Sequence, residues 1–256
     1  MFKLVENEKE IRLVRAFCSN GYFGARINTA IAAYGTDDRF VRTWYEEKDG
    51  RLLAILQVTE DAATVRCAEG TDYDSLSALL LFAGAKTVVG ERAHVEKLPF
   101  AIQAKGILMC CEKCTAESVF AQSVDSEQLN LLFRVLAADR PSAFTRRYYA
   151  DWYTDMSHRV RHGLSACFGV FDKGELVACA SVLYSNAQYG CIGAVSTRAE
   201  CRGRGFGTDC TVAAAMYVFA NGQIPCVACA DNGIEKWYEK MGFAVCGQWM
   251  QMQVNA

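Results

Sequence analysis

The sequence predicts an α/β protein in which two tandem copies of one unit follow each other, and three observations carry that reading. The first is a repeated hairpin. "EEKDGRLLAILQV" (46–58) and "VFDKGELVACASV" (170–182) share a strand, a Lys/Asp/Gly turn and a second apolar strand, which is hairpin chemistry. Gly50 and Gly174 stand 124 residues apart, close to half of the 256. The second observation is that the same elements follow each hairpin, so the period covers a whole supersecondary assembly. The third is composition: 52% hydrophobic residues, 22% charged and three prolines let each half bury a core of its own.

Taken in chain order, the N-terminal "MFKLVENEKEIRLVRAF" (1–17) scatters charge through its length and has no apolar core of leader size, so no export is expected. After the first hairpin come a strand in "AATVRCAE" (62–69), a helix in "DYDSLSALLLFAGA" (72–85) and a strand in "KTVVGE" (86–91). The stretch "QSVDSEQLNLLFRVLAADRPSAF" (122–144) then predicts a helix with Leu129, Leu132, Phe133 and Leu136 on one face, capped by Ser123 or Ser126. A domain boundary is placed there, giving residues 1–122 and 123–256. The second copy repeats the series with "QYGCIGAVST" (188–197), a helix in "GTDCTVAAAMYVFA" (207–220) starting near Gly207, and "IPCVACAD" (224–231). The copies differ between the third strand and its helix, where the second has "RAECRGRGFG" (198–207) and the first only "GTDYDS" (70–75). Chemistry located in that loop is lost from the first copy.

Charge and cysteine content narrow the function classes. A net charge of -2 gives no bulk reason for binding nucleic acid or an anionic membrane. The longest apolar run, "TVAAAMYVFA" (211–220), is about half of what a bilayer requires. Thirteen cysteines without a leader predict free thiols in a reducing cytoplasm. Two CxxC pairs, Cys111/Cys114 and Cys226/Cys229, offer four zinc ligands on paper. The second pair reads as a strand, however, where side chains three apart face opposite ways. His158 and His162 have helical spacing but no third ligand, so no metal is expected.

The loop "CRGRGFG" (201–207) has the chemistry of an anion cradle. Glycines entering a helix leave backbone N–H groups unobstructed, the helix dipole adds partial positive charge, and the arginines add formal charge, so pyrophosphate is the natural ligand. Lysine does not follow the glycines, and Thr208 occupies the place where a dinucleotide fingerprint needs its last glycine. The pattern R-x-x-G-x-G, made by Arg202, Gly205 and Gly207, resembles the acyl-CoA pyrophosphate loop of the GCN5-related N-acetyltransferase (GNAT) superfamily. "DNGIEKWYEKMGFAVCG" (231–247) resembles the second signature of that family, a helix that carries Tyr and ends in Gly-Phe. Ile234, Trp237, Tyr238 and Met241 share a face of it, and Gly242 stops it. The resemblance runs from Ser123 to Val254 and reaches the first half by topology.

It implies two tandem acyl-CoA N-acyltransferase folds, each a mixed, mostly antiparallel, splayed sheet flanked by helices, the first degenerate and the second holding acetyl-CoA or coenzyme A without metal. Ala194, Val195 and Ser196 would bind pantetheine along a strand edge, and the amides of Arg202, Gly203, Arg204, Gly205, Phe206, Gly207 and Thr208 the pyrophosphate. Tyr238 would protonate the departing thiolate, and the Val195 N–H would polarise the thioester carbonyl. Asp231 stands seven residues before the Tyr, where the family has Asn, and Asn232 follows it; either serves a pantetheine amide or the substrate. The strand leading to the loop has no carboxylate, which leaves Asp231, Glu200 or a water on Ser196 as base. "RRYYADWYTDMSHRV" (146–160) occupies the family's place for an acceptor pocket. The implied activity is transfer of acetyl to a primary amine of a small or amino-acid-like acceptor, by a cytoplasmic monomer or homodimer. A CoA-binding sensor without turnover and a tRNA-dependent aminoacyl transferase are the alternatives, the near-neutral charge weighing against the second.

Overall fold

The computed structural model describes residues 1–35, 41–230 and 233–254. Both hairpins close with two-residue turns at Asp49-Gly50 (φ 51° and 74°) and Lys173-Gly174 (φ 53° and 82°), the positive-φ form whose twist matches that of paired strands. Around them one order of elements occurs twice. The first series is β1 (Phe2–Leu4), α1 (Glu8–Phe17), α2 (Tyr22–Tyr34), β2 (Val41–Lys48), β3 (Arg51–Thr59), β4 (Ala62–Cys67), α3 (Tyr73–Phe82), β5 (Thr87–Glu91), α4 (Arg92–Val95) and β6 (Ala101–Cys111). The second is β7 (Gln122–Val124), α5 (Leu129–Asp139), α6 (Tyr149–Arg161), β8 (Ala166–Asp172), β9 (Glu175–Ser185), β10 (Tyr189–Thr197), α7 (Phe206–Ala220), β11 (Ile224–Ala230), α8 (Glu235–Glu239) and β12 (Phe243–Gln253). The repeat legible in the hairpins therefore extends through every principal element.

The chain forms two compact units that are not its two contiguous halves. One comprises Met1–Met109, Ala228–Ile234 and Val245–Ala256, the other Cys110–Val227 and Glu235–Ala244. In the first unit β1, β2, β3 and β4 pair antiparallel in sequence and β4 meets β5 in parallel. The chain's last strand completes that sheet: β12 runs antiparallel to β5, from Trp249↔Glu91 to Gln253↔Thr87. Met250, Met252 and Val254 are buried there with Leu56, Leu80 and Val88. An apolar C-terminal strand reads identically whichever copy it pairs with, so the boundary at Ser123 misses this assignment. Ser123 itself lies within β7, opposite Phe168 of β8.

In the second unit β7, β8, β9 and β10 pair antiparallel and β10 meets β11 in parallel. Leu129, Leu132, Phe133 and Leu136 of α5 are buried on Trp152 and Met156 of α6 and on Cys167 and Cys179 of the sheet, as their spacing predicts. The cap differs from expectation. Neither Ser123 nor Ser126 bonds the start of α5; Asp125 Oδ1 accepts from the N–H of Glu127 and Gln128 (2.9 and 3.1 Å). No described helix is long and apolar enough to cross a membrane.

Candidate functional site

Parallel pairing of β10 with β11 runs from Tyr189↔Ile224 to Ile192↔Val227, and β10 continues to Thr197 on β9 alone. Its register on β9 shifts between Gly193 and Ser196, and Ala194 stands in the left-handed region at φ 50°. That conformation costs a non-glycine residue about 1–2 kcal/mol, and the bulge it makes turns backbone groups of Ala194 and Val195 out of the ladder. The counterpart β4 pairs with β3 from Ala54↔Cys67 to Thr59↔Ala62 without any shift. The copies thus differ in the strand as well as in the loop after it.

From Thr197 a short turn, Ala199–Cys201, leads to Gly203 (φ 75°) and Gly205 (φ 85°), and α7 begins at Phe206. Gly205 is the N-cap and no side chain caps this end. The first helical bond is Asp209 N–H to Gly205 carbonyl, 3.0 Å. Among the described residues, the N–H groups of Gly203, Arg204, Gly205, Phe206, Gly207 and Thr208 meet no acceptor. Orphan donors at a helix N-terminus are an anion site by construction. The arginines do a different job from the one their charge suggests. Arg202 is paired with Asp139 and donates to the Thr197 carbonyl (3.2 Å), Arg204 is paired with Asp172 (2.7 Å), and Arg198 with Glu175 (2.6 Å). These pairs tie the loop to the ends of α5 and of the β8–β9 hairpin.

Gly207 marks where three elements converge. A Cβ there would stand 2.8 Å from Thr197 Oγ1, too close for carbon, and in ordinary contact with the Trp237 ring at 3.7 Å, so glycine lets the first turn of α7 close onto β10 beside α8. Next to Trp237, Tyr238 is 6% exposed, its ring edge-on to Trp237 and Phe243 at 4.7 and 5.6 Å. Met241 is buried beside it, but Ile234 is 41% exposed, so the inward face of α8 is narrower than the predicted stripe. Glu200 is exposed. Ser196 is 4% exposed, and its Oγ has no partner among the described residues. Asp231 and Asn232 lie outside the described residues.

The first copy fills the equivalent helix end with its own groups. Asp72 is the N-cap of α3 and accepts from Ser75 N–H (3.0 Å) and Ser75 Oγ (2.6 Å). The Tyr73 hydroxyl lies 2.7 Å from His94 Nδ1. Burial pushes Tyr73 up to about 12 and His94 down. A carboxylate already occupies the place of an anion, which is a physical account of the degeneracy.

Other candidate groups are structural. Of the aromatics of 146–160, Trp152 is buried and Tyr149 half-buried against Phe133, at 5.2 and 4.9 Å, whereas Tyr148 is exposed. His158 and His162 stack at 4.2 Å, with His162 Nδ1 2.8 Å from the His158 carbonyl. The two CxxC motifs differ: Cys111 lies beside Cys114, its Sγ also meeting the Met241 carbonyl, whereas Cys226 Sγ meets Cys110 Sγ at 3.6 Å and Cys229 Sγ meets Met109 Sδ. Burial pushes Cys167 up to about 11, Cys210 up to about 12 and Cys179 well above its ordinary value, which makes them poor nucleophiles. Native protein treated with a disulfide dye should release colour quickly from Cys246, Cys110 and Cys114 only. The ten buried thiols should wait for unfolding, and a larger fast phase would contradict this packing.

Residues 129–243 match the model of the acetyltransferase (GNAT) family. Among solved structures the chain is similar to a GNAT-family acetyltransferase from Colwellia psychrerythraea, at 15% identity and TM-score 0.63, with 99% of each chain covered. It is also similar to a tandem GNAT protein from the clavulanic acid biosynthesis pathway, at 13% identity and TM-score 0.62, covering 100% of this chain and 99% of that one. A GCN5-related N-acetyltransferase from Kribbella flavida aligns at 14% identity and TM-score 0.63, over 90% of this chain and 94% of that one. At these identities the likeness is one of fold. No curated protein matches the chain in sequence.

Proposed function

We propose that the chain is an acetyl-CoA-dependent N-acetyltransferase acting on a primary amine of a small or amino-acid-like acceptor, a reading supported by the match of residues 129–243 to the acetyltransferase (GNAT) family model and by the likeness of fold to tandem and single GNAT proteins. The observation that carries this reading is the uncapped end of α7, six orphan amides from Gly203 to Thr208, set against the Asp72-capped end of α3. A pyrophosphate is the ligand such a nest fits. Acetyl-CoA supplies the activated acyl group. The chain's own residues would hold it: the nest would take the diphosphate, the bulged end of β10 would offer its backbone as an edge for an amide-bearing arm, and the Val195 N–H would polarise the carbonyl that must accumulate negative charge.

Tyr238 is the proton donor of this reading, a buried phenol on the helix that meets the nest. Tyr238→Phe should lower kcat roughly tenfold with acetyl-CoA affinity unchanged. That is less than the usual general-acid contribution of about 10²–10⁴, because a thiolate departs without much help. The rate is read as free thiol released with an amine present, and the affinity by calorimetry. One observation favours a second reading: β10 (Tyr189–Thr197) carries no carboxylate, as befits a CoA-binding sensor. Binding by the wild type without thiol release from any amine would decide for the sensor.

A further inference from the structure

We propose that Cys110 and Cys226 form a two-thiolate site for the soft cation Cu(I), a ligand that the acyl-transfer reading neither uses nor needs. The two thiols come from neighbouring strands, β6 and β11, and both belong to the second unit. Cys110 Sγ donates to Cys226 Sγ at 3.6 Å. Cys226 is 2% exposed and Cys110 half-buried, so one ligand is fixed by packing while the other gives a cation its way in. Other buried thiols of the unit face a different neighbour: Cys179 Sγ donates to the Ala194 carbonyl at 3.4 Å, and Cys167 Sγ accepts from Ser181 Oγ at 3.3 Å.

Distance decides what the pair fits. A thiolate–metal bond of about 2.3 Å, at a trigonal or tetrahedral angle, sets two sulfurs about 3.8–4.0 Å apart. From 3.6 Å a small change in χ1 reaches that span, and the backbone stays where it is. Paired strands about 4.8 Å apart hold both Cβ atoms ready for it. Next in the row stands Cys191 of β10, fully buried and the Cα partner of Cys226. Partners in register on adjacent strands project to one face, so sulfur crosses three strands side by side. Thiolate donors select soft Cu(I) over cations that prefer oxygen. The pair is invisible to motif reading, since its members lie 116 residues apart.

The chemistry needs no oxidant or reductant. Each S–H proton leaves to solvent as its sulfur bonds the metal, so two protons are exchanged for one cation. Two S–H bonds break, two S–Cu bonds form, and copper stays monovalent.

The test uses the full chain, kept reduced by a phosphine without air, and Cu(I) supplied as its coloured complex with a bicinchoninate chelator. Wild type should withdraw one equivalent of Cu(I) and bleach the chelate, and X-ray absorption of the loaded protein should find sulfur neighbours at about 2.2–2.3 Å. Cys226→Ser and Cys110→Ser should each weaken binding at least 100-fold. Should Cys226→Ser fail to fold, Cys110→Ser decides alone, because its half-buried position tolerates the change. Cys114→Ser should bind like wild type. A wild type that leaves the chelate coloured would mean that the pair is only packing. Copper retained by Cys110→Ser, or lost from Cys114→Ser, would put the ligands elsewhere; each of these results overturns the inference, and none of them bears on acetyl-CoA binding.

Discussion

Replacing Gly205 by glutamate should abolish acetyl-CoA binding, a loss of at least about 100-fold in calorimetric titration. A Cβ at Gly205 meets nothing within 4 Å, so the effect is not one of space. Its φ of 85° makes any side chain there cost about 1–2 kcal/mol of backbone strain. The larger effect is electrostatic: the new carboxylate lies beside the six orphan amides and does for α7 what Asp72 does for α3. An anion already in the nest satisfies its donors and repels the diphosphate. Gly205→Gln separates the two causes, since it carries the same strain without the charge and should retain most of the affinity. If both variants bind like wild type, the nest is only a turn and the diphosphate is held elsewhere.

The sequence made the nest legible because its message is local. R-x-x-G-x-G fixes a positive-φ glycine, Gly205, and a helix start within six residues, and neither needs a distant partner to be recognised. Hairpins were legible for the same reason, Asp49-Gly50 and Lys173-Gly174 being turn chemistry that carries its own φ values. What escaped is what depends on pairing across the chain. The placement of β12 on β5 cannot be told from apolar alternation, which is the same for either neighbour. The bulge at Ala194 hides in "GAVS", where only the adjacent small residues Gly193 and Ala194 signal it. The neighbours of the arginines were not legible, because formal charge in a loop says nothing of the carboxylates at Asp139 and Asp172, 63 and 32 residues away, that pair with Arg202 and Arg204. The aromatics of α6 stayed ambiguous for the same reason: a dense aromatic run reads as a cleft or a core according to what faces it, and Phe133 faces Tyr149 and Trp152.

One such long-range contact supports the second large effect: Asp209→Ala should destabilise the fold by about 2–4 kcal/mol, lowering the melting temperature by roughly 5–12 °C. Asp209 lies in the first turn of α7 and is 7% exposed. Its carboxylate accepts three consecutive backbone N–H bonds, from Val119 (2.6 Å), Phe120 (2.8 Å) and Ala121 (2.5 Å). Charge-assisted bonds of this kind are the strong ones, and together they tie the segment before β7 to the helix that carries the nest. The loss stops short of the sum of three because Val119 and Phe120 are exposed, so water can take over part of the bonding. Asn at this position should recover little, since its amide nitrogen would face donors. Acetyl-CoA affinity should hold or rise in the Ala variant, for the change removes a negative charge four residues from Gly205. Stability falling while affinity is kept is the signature of a brace. A loss of both together would place the Val119–Ala121 segment in the binding site itself and assign Asp209 a share in building it.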